Sequence, residues 1–132
     1  MGRTIMIKHA IRVLRHHLNN LKSAHKRSSQ WSHVEKTYKA NNPTCACCGS
    51  TKRLQVHHCK PFHLHPELEL DMNNLITLCM DLDCHLLVGH GDNFKDYNPD
   101  VRADSAKVRK SSNIKETLKV VAAEAKAKRL SQ

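Results

Sequence analysis

The chain has few aromatic side chains, with one Trp, two Phe and two Tyr among its 132 residues. A small domain that is short of large apolar side chains builds a thin core and often needs a cross-link or a metal. The scarcity argues against a fold held by apolar packing alone and directs attention to the six cysteines. A chain of this length is expected to form one folded domain.

Long apolar segments are absent as well. The run Ile5–Ile7, between Arg3 and Lys8, is too short for a secretory signal, and no stretch reaches the length of a membrane span. Met6 stands where N-myristoylation requires Ser or Thr after Gly2. We therefore expect a cytoplasmic protein with no membrane partner. Because cytosolic thiols stay reduced, the cysteines are expected to bind zinc and not to form disulfides.

Acidic residues are outnumbered, since 12 Asp and Glu stand against 22 Lys and Arg and leave a net charge of +10. Such a surplus favours polyanionic partners, of which nucleic acid is the commonest. An ordinary soluble basic protein has the same composition, so charge alone leaves both interpretations open.

The pattern divides the chain into a basic N-terminal helical arm over 1–27, a central domain over 28–104, and a basic C-terminal helix or tail over 105–132. Apolar residues of the arm recur at three- and four-residue steps, which predicts an amphipathic helix. They are Ile7, Ile11, Leu14, Leu18 and Leu21. We expect this stripe to pack on the core or on a partner helix, and the basic face to lie on DNA.

The central domain is predicted to contain a helix from about Trp31 to Lys39 and a short strand over 53–57. Pro61 limits the returning strand to a short or edge segment, and 63–73 is predicted to be a loop. A further helix is expected to begin near Cys84. The C-terminal pattern predicts one continuous helix from about Ser105 to Leu130.

Two cysteine pairs have the spacing of a metal site. Cys45-x2-Cys48 is followed by a glycine, which suits a tight turn, and Cys79-x4-Cys84 supplies the second pair. Four thiolates in tetrahedral positions form a closed structural zinc site without an open coordination position. Its binding energy becomes folding energy, which compensates for a thin core. Cys47 is an alternative to Cys45 as a ligand; otherwise Cys47 and Cys59 are expected to be ordinary thiols.

A histidine cluster is interleaved with these pairs. His57 and His58 end the predicted strand, His85 directly follows a cysteine, and His90 lies five residues later. Imidazoles suit a transition metal whose free coordination positions take water and substrate. Because neighbouring strand residues point to opposite faces, we expect a bend or bulge if the first two histidines serve one site.

Residues 45–90 resemble the HNH endonucleases. The matching runs are Val56-His57-His58, Asn74-Leu75-Ile76-Thr77-Leu78-Cys79 and Cys84-His85. A wider match over 28–104, with the segments around Ser28–Trp31, Asn42–Cys45 and His85–Gly91, is similar to small phage-encoded members of that family. The resemblance implies an α+β protein: a ββα-metal core with a four-cysteine structural zinc site, flanked by terminal helices.

The resemblance also implies individual roles. His57, where many relatives have Asp, and His85 hold the catalytic ion; His90 is either a third ligand or a structural histidine. His58 is the general base, and Asn74 holds the loop that faces the hairpin. The implied cofactors are structural Zn²⁺ and a catalytic divalent ion, which is Mg²⁺ or Mn²⁺ with Zn²⁺ or Ni²⁺ as alternatives.

The implied activity is hydrolysis of DNA phosphodiester bonds, as nicking and, from a dimer, as double-strand cleavage; a monomer is expected. The candidate DNA-binding residues are Lys52, Arg53, Lys60 and Lys95. Small phage relatives act beside the terminase in genome packaging, so a terminase partner and the host cytoplasm are implied. The alternative is a zinc-stabilised DNA-binding or terminase-partner protein without catalysis, which needs neither His58 nor a second metal.

Overall fold

The computed structural model describes residues 2–24 and 26–132, and in the first helix it describes the side chains of 6–18. The regular elements of this part of the chain are α1 (Gly2–Ala24), α2 (Trp31–Asn41), β1 (Leu54–His58), β2 (Leu75–Cys79), α3 (Val101–Arg109) and α4 (Ile114–Leu130). Two 3-10 turns, Pro66–Leu68 and Met72–Asn74, precede β2, and a π-helical turn, His85–Gly89, follows it. This combination of helices with a small sheet has the α+β character that we expect.

The sheet consists of β1 and β2, which pair antiparallel with Leu54 opposite Cys79 and His58 opposite Leu75. The strand that returns to β1 is therefore Leu75–Cys79, and the expectation of a returning strand at Pro61 is wrong. The segment after Pro61 is interrupted by a second proline, Pro66, whereas every residue of β2 is buried. A strand buried on both faces lacks the alternation that marks a half-exposed strand.

The apolar core surrounds the cysteines. Its buried cluster comprises Cys45, Cys47, Ile76, Leu78, Cys79, Cys84, Val88, Val101, Val108, Leu118 and Val121. No aromatic side chain belongs to this cluster, and its largest members are leucines and an isoleucine. The sulfur-bearing side chains therefore fill volume that aromatic rings often fill in other small domains.

The C-terminal segment folds as two helices, so the expectation of one continuous helix from Ser105 is wrong. α3 already begins at Val101, and α4 begins after Asn113, whose side chain accepts a hydrogen bond from the backbone N–H of Glu116 at 3.2 Å. An N-cap of this kind starts a new helix and allows a change of direction. Both helices pack against each other and against the π-helical turn.

Over residues 6–18, helix α1 does not pack its apolar stripe on the core. Every described side chain of this helix, from 6 to 18, is exposed, including Ile11 and Leu14. α2 packs against β1 in its place. Leu21, which we assigned to the apolar stripe, lies outside the described side chains. None of the described helices combines the length and apolar character needed to cross a membrane.

Replacement of Leu118 by Ala tests whether α4 is part of the core. The side chain is 2% exposed, so truncation should lower the free energy of unfolding by about 2–5 kcal/mol. Leu130→Ala is the matched control, because that side chain is 75% exposed and its loss should cost less than about 0.5 kcal/mol. Urea denaturation of the zinc-loaded proteins measures both changes. Equal effects of the two substitutions would contradict the packing of α4.

Candidate metal centre and active site

Four cysteine sulfur atoms converge at one point of the core. The Sγ atoms of Cys45, Cys48, Cys79 and Cys84 all lie within 4.8 Å of one another. The Sγ atoms of Cys48 and Cys79 lie 3.5 Å apart. Four thiols at this separation can hold a metal such as zinc, which prefers tetrahedral sulfur ligands.

The turn that carries the first pair is shaped by hydrogen bonds. The N–H of Cys45 donates to the Ser50 carbonyl at 2.8 Å, and the N–H of Gly49 donates to the Cys45 carbonyl at 2.9 Å. Gly49 has φ of +74°, a conformation that favours glycine. The N–H of Ala46 donates to the carbonyl of Thr77 at 2.9 Å, so the turn is attached to β2 beside the second pair.

The thiols in and beside this cluster differ in pKa. Hydrogen bonds from the thiols of Cys47 and Cys84 hold the pKa of Cys45 well below its usual range. The bond to Cys45 raises the pKa of Cys47 to about 12, and burial raises the pKa of Cys48 to about 11. A divalent cation would displace the remaining protons, so metal binding here releases protons and strengthens as pH rises.

The two remaining cysteines lie outside the group of four. Cys47 is fully buried, and its Sγ lies 3.3 Å from the Ser105 hydroxyl oxygen. Cys59 is half-buried, and burial raises the pKa of its thiol. All six cysteines are free thiols.

A second cluster contains three imidazoles. Nδ1 of His57 lies 3.1 Å from Nε2 of His85, and Nε2 of His90 lies 3.2 Å from the same atom. His57 comes from β1, and the other two come from the start and the end of the π-helical turn. Together they form a group whose nitrogen atoms can hold one ion.

The π-helical turn brings the two later histidines to one side. In an α-helix, residues five apart point about 140° apart around the axis. The wider π-helical turn, with its i→i+5 repeat, places His85 and His90 one above the other. Gly89 allows the rings to close in, because a Cβ there would lie 3.2 Å from ring carbons of both His57 and His85.

Hydrogen bonds determine which ring nitrogens carry protons. Nδ1 of His85 lies 2.8 Å from the Gln55 side-chain oxygen, and Nδ1 of His90 lies 2.6 Å from the Asp96 carbonyl oxygen. Both oxygens only accept, so each Nδ1 donates, and in the neutral tautomer Nε2 carries the lone pair. The two Nε2 atoms lie 3.2 Å apart, and a metal ion could be bound by both.

Protonation of His57 and His85 is disfavoured. Burial lowers the pKa of His57 to about 3, and neighbouring histidines contribute to the shift. Burial also lowers the pKa of His85 to about 4. These two rings are therefore neutral near neutral pH, and a neutral imidazole nitrogen can bind a metal ion. Nε2 of His57 is buried and has no partner in the described part of the chain.

His58 has a different environment on the opposite face of β1. Its Nε2 lies 3.0 Å from the Glu69 carbonyl oxygen, so Nε2 donates and Nδ1 keeps the lone pair. The ring stacks on Trp31, with 4.4 Å between centroids. Burial lowers the pKa of His58, and the charge of Arg27 lowers it further. The ring is therefore neutral and able to accept a proton near pH 7.

His57 and His58 line the same cavity, which has a volume of about 380 Å³ and is also bordered by His85 and His90. The β1–β2 register is continuous from 54 to 58, so the bend or bulge that we expected is not present there. The two rings project from opposite faces at the end of the strand and both reach this cavity.

Asn74 joins the two ends of the loop between the strands. Its side-chain oxygen accepts from the N–H of Lys60 at 2.8 Å, and its amide nitrogen donates to the Lys60 carbonyl at 3.0 Å. The same nitrogen lies 3.4 Å from the Leu68 carbonyl oxygen. These bonds hold the loop that carries Glu69, whose carbonyl orients His58.

Arg27 is a site residue that sequence reasoning placed only among the basic residues of the arm. Its guanidinium lies over Phe62, 4.5 Å from the ring centroid, and over Trp31 at 5.3 Å. It also forms an ion pair of 3.7 Å with Glu69, whose side chain is buried. These three partners hold the charge at the cavity that His58 lines. No local pattern indicates contacts between segments so far apart in the chain.

The predicted DNA-binding residues are dispersed. Lys95 borders the histidine cavity, and Lys60 borders a neighbouring cavity beside Asn74. Lys52 and Arg53 precede β1, whereas His57 and His58 end it. At about 3.4 Å per strand residue, the two groups are about 13 Å apart along the strand. All four side chains are exposed.

Comparisons of the chain with protein-family models, with curated proteins and with solved structures give no match. Conclusions about function therefore depend on the geometry of the two clusters and of the cavity.

Serine substitution of single cysteines tests the ligand set of the sulfur cluster. Cys48→Ser should reduce bound zinc by one equivalent and lower the melting temperature, because the oxygen is a poorer ligand for this site. Cys59→Ser is the matched control and should retain zinc. Cys47→Ala tests the alternative register and should also retain zinc, although it leaves a buried gap. Loss of zinc from Cys47→Ala alone would exchange the assignments of Cys45 and Cys47. Atomic absorption and differential scanning calorimetry provide the measurements.

Proposed function

We propose that the protein is a metal-dependent endonuclease of the HNH type, which hydrolyses phosphodiester bonds in nucleic acid at the histidine cavity. The observation that carries this proposal is the convergence of ring nitrogens of His57, His85 and His90, with neighbouring nitrogens 3.1 and 3.2 Å apart. That arrangement suits a metal ion, and it lies in the same cavity as a neutral, oriented imidazole, His58. Metal-dependent hydrolysis of a phosphodiester needs at least a cation and a nearby proton acceptor.

The donor set fits a transition-metal ion. Three imidazole nitrogens converge, and the metal-binding group contains no carboxylate. Imidazole favours Zn²⁺, Ni²⁺ and similar ions, whereas Mg²⁺ prefers oxygen ligands. An ion bound there would neutralise charge on the scissile phosphate and on the leaving oxygen. We therefore place Zn²⁺, Ni²⁺ or Mn²⁺ ahead of Mg²⁺.

His58 acts as the general base in this proposal. Its Nδ1 accepts a proton from a water molecule, whose oxygen forms the new bond to phosphorus. The bond from phosphorus to the 3′ oxygen breaks, and that oxygen takes a proton from solvent. The products carry a 5′-phosphate and a 3′-hydroxyl. The Glu69 carbonyl keeps the ring oriented and stabilises the protonated form that results.

Two basic side chains bind the phosphate backbone at the cavity. Arg27 is held by Glu69 and by two aromatic rings, so little side-chain freedom is lost when it meets a phosphate. Lys95 also lines the cavity, is exposed and contributes an adjustable charge. Neither side chain contacts a base edge in this arrangement, so we propose weak sequence preference.

The alternative is a zinc-stabilised DNA-binding protein without catalysis. The sulfur cluster and the basic charge suit both proposals equally. The histidine cavity favours the nuclease, because simple binding requires neither a buried trio of imidazoles nor an oriented base beside it. Involvement of a terminase in genome packaging is compatible with either proposal.

A supercoiled-plasmid assay of wild type and His58→Ala tests the reaction. Wild type should nick with Zn²⁺, Ni²⁺ or Mn²⁺ and more slowly with Mg²⁺, because the ligands are imidazoles. Removal of the base should lower the rate by about 10²–10⁴-fold. His33→Ala is the matched control, since this histidine is exposed on α2 and should be dispensable. An intact plasmid with every ion, although the protein is folded and binds DNA, would establish the non-catalytic alternative.

Arg27 gives a second test through the pH dependence of nicking. A base acts in its neutral form, so a lowered pKa of His58 keeps the enzyme active below the ordinary histidine value of about 6.5. Arg27→Gln removes one cause of that lowering and should move the acid limb of kcat/KM to higher pH while raising KM. Arg27→Lys keeps the charge and should leave the acid limb in place. An acid limb that is identical in all three proteins would show that Arg27 does not affect the pKa of His58.

A further inference from the structure

The few aromatic side chains of this chain gather at the cavity and not in the core. Phe62, Phe94 and Tyr97 line it, and Trp31 stacks on His58 at its edge. Tyr38 is the remaining aromatic residue, and its hydroxyl donates to the Leu75 carbonyl at 2.7 Å. The buried apolar cluster contains no aromatic ring. Although the fold has few large apolar side chains, its aromatic rings lie where solvent can reach them.

Phe94 is the most available of these rings. It is 53% exposed, although a free phenyl group in water is unfavourable. The ring lies beside the imidazoles, with centroids 5.0 Å from His90 and 5.7 Å from His85 and the ring planes inclined to one another. Phe62 differs, because the guanidinium of Arg27 already lies over its ring. Phe94 therefore presents aromatic surface directly beside the proposed cation site.

The size of the cavity limits what can use that surface. A volume of about 380 Å³ lies near the lower end of the ~300–1,000 Å³ range of small-ligand pockets. One nucleotide unit fits such a space, but a paired and stacked duplex does not enter it. A base can reach the ring only if it is unpaired.

We propose that Phe94 forms a nucleobase subsite, on which an unpaired base next to the scissile phosphate stacks. The substrate class is then single-stranded or locally unpaired nucleic acid, because all bases present a stacking face and the ring reads none of their edges. This inference rests on the proposed nuclease function and specifies its substrate. The phosphate of the same nucleotide lies towards the histidines and Arg27, and the base lies towards Phe94.

The competing role for Phe94 is to shield the imidazoles from water. A leucine side chain at this position would serve that role nearly as well, since it is apolar and of similar size, but it has no π face for stacking. Phe94→Leu and Phe94→Trp therefore separate the two roles. The Trp variant retains a stacking surface, and the position is exposed enough to accept both changes.

The experiment measures binding in the His58→Ala background, so that cleavage does not interfere. Labelled oligothymidine strands of about ten nucleotides, as DNA and as RNA, are compared by fluorescence anisotropy with an abasic strand of equal length and charge. A duplex of the same length is the third ligand. The His58→Ala protein should bind the thymidine DNA strand about tenfold more tightly than the abasic strand. The RNA arm shows which of the two nucleic acids supplies the base.

The variants then decide the role of the ring. Phe94→Leu should remove most of the tenfold difference by weakening only the strand that has bases, and Phe94→Trp should preserve it. An equal loss on both strands, or no difference between them in any protein, overturns the base subsite. Tight duplex binding with no effect of Phe94→Leu overturns it as well but leaves the nuclease proposal intact. Failure to bind any of the nucleic acids at low salt contradicts the proposed function itself.

Discussion

Convergence of four cysteine sulfurs is the constraint on which the remaining structure depends. Cys79 ends β2 and Cys84 stands immediately before the π-helical turn, so the sulfur cluster determines where that turn begins. His85 is the first residue of the turn and therefore faces His57 on the neighbouring strand. The first cysteine pair is attached to β2 through the Thr77 carbonyl, which makes the cluster and the sheet one unit. A bound ion would thus stabilise the fold and align the histidines through the same bonds.

The histidine cluster is arranged so that its inner ring nitrogens could hold a metal ion. The Gln55 side chain and the Asp96 carbonyl accept hydrogen bonds from the outer nitrogens of His85 and His90. Burial opposes protonation of His85, so its inner nitrogen keeps a lone pair near neutral pH. An ion that binds these nitrogens only in the folded protein would stabilise the folded state.

The two clusters of possible metal ligands could be predicted from the sequence, because each cysteine pair and the His85–His90 spacing are local and the side-chain chemistry is distinctive. The strand Leu75–Cys79 could not, because burial on both faces removes the alternation by which strands are recognised. The start of α4 could have been predicted from Asn113 and Glu116, which have the spacing of a helix N-cap. The similar Lys- and Ala-rich composition on both sides made this signal hard to see. A role for Gln55 near the histidines could also have been predicted, since it lies two residues before His57 on the same face of β1. Arg27 and Glu69 meet only through tertiary folding, and no local pattern contains that contact.

Sulfur in the core and aromatic rings at the surface are related features. In a small domain, large rings are normally needed inside, since they bury the most apolar area per residue. Here cysteines, valines and leucines form the interior around a cluster that can bind metal. Metal binding energy can substitute for the missing apolar burial, because it appears only when the fold brings the ligands together. The aromatic rings are then not needed for core packing. Phe94 can therefore remain exposed beside the imidazoles, although its apolar surface is left unburied. A base that stacks on Phe94, as we propose, would cover part of this exposed ring.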